Sequence, residues 1–84
     1  MKMSEYAKEL GKVLKSFDPK RMRKFFKKHR QLYNPMFAKF MDDYDDQWVL
    51  GVMAKMVMSR TDMSDKDRKK AMAILDQKGW DYEI

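Results

Sequence analysis

Apolar side chains crowd most densely into residues 47–60, QWVLGVMAKMVMSR, where Lys55 is the one charge between Gln47 and Ser59. At about 100° per residue they point almost all the way round, and a helix apolar on nearly every side is a buried helix. Only Gln47, Gly51 and Lys55, spaced four apart, make a thin polar or small line able to face water. The pattern predicts a central helix over about 46–60, with the other helices leaning on it.

The flanking segments are amphipathic instead. Ser4 is a plausible N-cap for a first helix running to about Ser16. Tyr6, Leu10, Val13, Leu14 and Phe17 share one arc of it, and Lys8, Lys12 and Lys15 line the other side. Asp18-Pro19 then supplies a cap followed by a proline at the first helical position, where its missing N–H costs nothing. The second predicted helix, 19–33, gathers Met22, Phe25, Phe26, His29, Leu32 and Tyr33 into an arc of roughly 120°. All seven of its Lys and Arg residues fall outside that arc.

Asn34-Pro35 repeats the cap-and-proline device and opens a third predicted helix, with Met36, Phe37, Phe40, Met41 and Tyr44 as its apolar face. Asp45 and Asp46 suit the N-terminus of the central helix, whereas Asp42 and Asp43 would sit badly at the end of the third. A break near Tyr44 follows. Beyond the turn at 61–64, Ser64 and Asp67 resemble a capping box. The fifth helix buries Ala71, Met72, Ile74 and Leu75 and stops at Gly79, a natural residue for a helix end. Trp80, Asp81, Tyr82, Glu83 and Ile84 form an aromatic, acidic tail.

The expected fold is therefore all-α: a compact orthogonal bundle of about five short helices around the central one, in a single domain spanning residues 1–84. Ten methionines suit an irregular core or an adaptable contact surface. Most lie at core spacing, with Met1, Met3 and Met63 at a terminus or in a turn. No cysteine is present, which removes disulfides, thiolate nucleophiles and cysteine-based zinc sites and fits a reducing, cytoplasmic setting. The start lacks the apolar run of a signal peptide, and the apolar stretch is shorter than the roughly 20 residues that span a bilayer.

Charge narrows the partner class. Residues 1–40 carry 12 Lys and Arg against 3 acids, and residues 41–84 carry 7 against 10. Such asymmetry points to one basic face aimed at a polyanion. Lys20, Arg21, Arg23, Lys24, Lys27, Lys28 and Arg30 crowd the second helix, with Lys8, Lys12 and Lys15 as a parallel row. Phosphate backbones bind such surfaces by Coulomb attraction and counterion release, with no sequence reading required. The plainer reading is the solvated face of a basic protein, although mixed signs would serve solubility as well.

Base-specific readout has little to work with, because that face has almost no Asn, Gln, Ser or Thr. A helix-turn-helix built on the turn at 61–64 would aim Asp65 and Asp67 at phosphates. Membrane docking of the second helix would require Phe25 and Phe26 to leave the core. The four Asp of D-D-Y-D-D lack the alternating ligands and central Gly of a calcium loop. Capping, and pairing with the basic half, explain them better. His29, alone of its type, is expected as a core residue hydrogen-bonded within the fold rather than a general base.

The leading expectation is a non-enzymatic accessory protein that binds DNA or RNA, needing no metal or cofactor. The rival is a protein–protein adaptor or inhibitor. It would offer the basic face to an acidic protein, or form a homodimer through the Met-rich central helix and the tail residues Trp80 and Tyr82.

Overall fold

The computed structural model describes residues 3–30, 39 and 42–82. They form four helices, α1 (Met3–Ser16), α2 (Pro19–Lys28), α3 (Asp46–Ser59) and α4 (Asp65–Lys78), and no strand. The all-α expectation holds, but the described residues give four helices rather than a five-helix orthogonal bundle. The predicted third helix falls largely on residues outside those described; of its apolar face only Tyr44 lies within them.

Local chemistry sets most helix ends. Asp18 is the N-cap of α2: its carboxylate accepts from Lys20 N–H at 3.0 Å, and Pro19 follows at the first helical position. Asp45 caps α3 through Trp48 N–H at 2.9 Å, and the chain breaks at Tyr44, as the aspartate pairs on either side suggest. Ser64 caps α4 by accepting from Asp67 N–H at 3.2 Å. The reciprocal half of a capping box is replaced by the Ser64 hydroxyl donating to the Asp67 carboxylate at 2.9 Å.

Two predicted boundaries move. Ser4 lies inside α1 instead of capping it. Helix α2 ends at Lys28, because the backbone of His29 (φ −110°, ψ 32°) has left the helical region. Arg30 therefore stands beyond the helix rather than on its face.

The α1–α2 turn shows packing overriding local preference. Phe17 has φ of +49°, a left-handed conformation that costs an ordinary residue roughly 1–2 kcal/mol. Burying the phenyl ring contributes about 1.5–3 kcal/mol, so the side chain holds its backbone there. The Ser16 hydroxyl supports the turn by donating to Val13 C=O and accepting from Asp18 N–H.

Helix α3 is the post that the sequence implies, and it packs against each of the other three helices. Val49, Met53, Ala54 and Val57 are fully buried there, against Leu14 of α1, Met22 and Phe26 of α2, and Ala71 and Leu75 of α4. Met72 and Ile74, expected inside, are half-buried. Met63 reverses its expectation: although in a turn, it is 7% exposed and joins the core.

The polar line on α3 is covered at Gly51, while Gln47 stays exposed and Lys55 is half-buried. Gly79 takes a left-handed conformation (φ 69°, ψ 27°), its N–H bonding Asp76 C=O while Trp80 N–H bonds Leu75 C=O. This pair of bonds is a Schellman motif, and it folds the chain back on itself. Trp80 thereby lands on Gly51, where a Cβ would lie 2.4 Å from the ring. Only a residue without a side chain fits under the indole. The ammonium groups of Lys55 and Lys78 lie 5.9 and 5.8 Å from the ring centroid.

Polar side chains fix the α3–α4 turn. Arg60 donates to both carboxylate oxygens of Asp62, at 2.9 and 2.7 Å, and reaches Ala7 C=O of α1 at 3.0 Å. That pairing lowers the Asp62 carboxyl pKa below the ordinary value. Arg68 donates to Arg60 C=O and Met58 C=O, satisfying carbonyls that the end of α3 leaves open.

Candidate nucleic-acid interface

On α2, Met22, Phe25 and Phe26 face inward, so at about 100° per residue the opposite crest is Lys20, Lys24 and Lys27. All three are exposed and make no ion pair with another described residue. Lys8, Lys12 and Lys15 repeat this spacing on α1 and are likewise exposed without an ion pair. Arg30 is exposed and unpaired among the described residues as well.

The flanks of α2 behave differently. Arg23 is 27% exposed, and its guanidinium donates to Asp46 Oδ1 at 3.1 Å and to Tyr44 C=O. It is a clamp between α2 and the start of α3. Lys28 remains 64% exposed but donates to Glu9 Oε1 of α1 at 3.1 Å. This hydrogen bond is the main reason the Glu9 carboxyl pKa falls below its ordinary value. Arg21, 69% exposed, approaches Asp18 only at 3.9 Å. Of the ten predicted contact residues, the structure thus displays eight openly and ties Arg23 and Lys28 to neighbouring helices.

Between α1 and α2 runs an open groove of about 220 Å³ lined by Glu9, Val13, Arg21, Lys24, Phe25 and Lys28. Val13 and Phe25 supply an apolar floor, while three cations and one carboxylate form the rim. The sequence pattern alone misses this groove. Val13 and Phe25 read as core positions, and only helix pairing shows that a gap opens above them. Glu9, the one acid between the lysines of α1, was the available signal.

The acidic segment does not neutralise the lysine crests. Asp45 is spent on its cap and Asp46 on Arg23, whereas Asp42 and Asp43 are exposed. Asp43 and Asp45 border a second groove, about 570 Å³, with Tyr44, Gln47, Trp48, Lys78 and Trp80. Tyr44 and Trp48 are stacked there at 4.2 Å between ring centroids. No group of three or more metal-binding side chains is found among the described residues, and no described helix is long and apolar enough to cross a membrane.

His29 is 9% exposed, lodged against Tyr6 and Phe25 with ring centroids 5.3 and 4.7 Å away. Contrary to the expectation of a hydrogen bond, its Nε2 has no such partner among the described residues. The nearest anion is Glu9 Oε2, at 3.6 Å. Of the tail residues, Trp80 is half-buried on Gly51. Tyr82 is exposed and donates its hydroxyl proton to the Asp76 carboxylate, which raises the phenol pKa.

Comparison with known protein families, characterised proteins and solved structures gives no match to this chain.

Proposed function

We propose that this protein is a small, non-enzymatic nucleic-acid-binding protein, whose affinity comes mainly from phosphate contacts made by α2 and the lysine row of α1. The observation that carries the reading is the pair of crests, Lys20–Lys24–Lys27 and Lys8–Lys12–Lys15. Both are exposed and make no ion pair with a described acid, Asp62 acting on Lys15 only at longer range. Like charges so placed repel one another, and a polyanion removes that repulsion while releasing its own counterions. Arg21 and Arg30 extend the surface. Arg23 and Lys28 serve first to hold α2 in place.

This reading has no catalytic residue, metal or cofactor, and it places the protein in a reducing compartment such as the cytoplasm. Docking of a protein partner through Trp80 and Tyr82 is less favoured, since Trp80 already fills the notch at Gly51. A dimer through the methionines of α3 would have to use Met56 and Met58, which are half-buried, because Met53 is fully buried within one copy.

The test is a titration of labelled DNA and RNA followed by fluorescence anisotropy across a range of salt. Log affinity should fall with log salt by about 0.9 for each duplex phosphate contacted, or about 0.7 on a single strand. The substitutions Lys20→Glu, Lys24→Glu and Lys27→Glu together should abolish binding while leaving the helical circular dichroism intact. They spare Lys28, whose reversal would set two carboxylates against each other at Glu9. Affinity that does not change with salt excludes the proposal.

A further inference from the structure

We infer that the groove between α1 and α2 seats an unpaired base, so that the ligand of the basic face is single-stranded nucleic acid. This rests on the phosphate-binding reading and adds a ligand class to it. On the lysine-bearing face this groove sets an apolar floor, Val13 and Phe25, within a ring of cations, Arg21, Lys24 and Lys28. At about 220 Å³ it falls below the roughly 300–1,000 Å³ of a site for a drug-sized molecule, and it suits one flat group.

A duplex keeps its bases stacked and presents only phosphates to such a surface. A single strand can splay a base out, rest it on apolar or guanidinium surface and bond its edge. The rim supplies each element of that recognition. Arg21, open to solvent and with its nearest carboxylate 3.9 Å away, can lie over the base. Glu9, at the edge, accepts hydrogen bonds and so favours an exocyclic amine. Lys24 meets the adjoining phosphate, and Lys20 and Lys27 continue the track, while Lys28 stays paired with Glu9.

Charge sets this groove apart from the one at Tyr44 and Trp48, where Asp43 and Asp45 repel a phosphate chain. Shape sets the ligand apart from an acidic amphipathic helix. Such a peptide needs apolar anchors repeated along two turns, about 10 Å, and a single notch provides one.

The experiment compares three probes of equal length at one salt concentration: a single-stranded oligonucleotide, the same backbone carrying abasic sites throughout, and a duplex. The single strand should bind about fivefold or more tightly than the abasic strand for each seated base. Val13→Phe, which fills the groove without changing charge, should erase that difference and leave abasic binding unaltered. Equal affinity for all three probes overturns the inference but leaves phosphate binding intact. A base preference that survives Val13→Phe overturns the groove as its location. Polyglutamate binding as tightly as the single strand also overturns it. Failure of every probe to bind refutes the underlying function instead.

Discussion

Replacing Gly51 by alanine tests the packing of the C-terminal turn most sharply. The new methyl would stand 2.4, 2.6 and 2.9 Å from three carbons of the Trp80 ring. Carbon atoms in good contact are about 3.5–4.0 Å apart, so the indole must retreat by roughly 1 Å or more. Overpacking of that kind costs about 1–3 kcal/mol. Alanine in the middle of a helix recovers about 0.8–1 kcal/mol relative to glycine. The net expectation is a destabilisation between zero and about 2 kcal/mol.

The sign should change once the ring is gone. In a Trp80→Ala background the clash vanishes and only the helix preference remains, so Gly51→Ala should stabilise by up to about 1 kcal/mol. Urea unfolding of the four proteins, followed by helical circular dichroism, closes the double-mutant cycle. Its coupling should be about 1–3 kcal/mol, and 1 kcal/mol corresponds to roughly 4–8 °C in Tm for a domain of this size. A cycle that adds to within about 0.5 kcal/mol would show that Trp80 does not rest on Gly51 in solution.

Three further outcomes are expected. Asp45→Ala should cost about 1 kcal/mol by removing the cap on α3, and Asp45→Asn should restore most of it; equal losses from both, measured by thermal unfolding, would argue against a capping role. Gly79→Ala meets no atom within 4 Å, so any loss is backbone strain at positive φ, about 1–2 kcal/mol, and an unchanged Tm would contradict the left-handed turn. Glu9 has a lowered pKa in the fold, so its stabilisation is complete above the ordinary glutamate value, about 4.3, and is lost as pH falls through the lower folded value. Glu9→Gln should flatten the stability curve in that acid window, and identical curves for the two proteins would remove the Lys28–Glu9 link.

Much of the architecture was legible in the chain because it depends on contacts between near neighbours. Asp18-Pro19, Asp45, Ser64 and Gly79 act within a few residues of themselves, and each ends or starts a helix where its chemistry predicts. The near-uniform apolarity of 46–60 likewise calls for burial, and α3 meets it on one side: Val49, Gly51, Met53, Ala54 and Val57 are buried, whereas Leu50, Val52, Met56 and Met58 are only half-buried. Even the lysine crests follow from helical period alone, since the residues opposite Met22, Phe25 and Phe26 must face outward.

What needed the tertiary structure was every feature made by residues far apart in sequence. Gly51 reads as part of a polar line until Trp80, 29 positions later, is folded across it by the Gly79 turn. Arg23 and Lys28 are indistinguishable from their neighbours in sequence. Asp46 and Glu9, brought near by packing, take them out of the freely displayed set. Met63 and Phe17 occupy turns that local preference would leave exposed or unstrained, and the core draws both inward. The groove over Val13 and Phe25 belongs to neither helix. Helical period fixes which way each side chain points, but the space between two helices depends on how closely they approach.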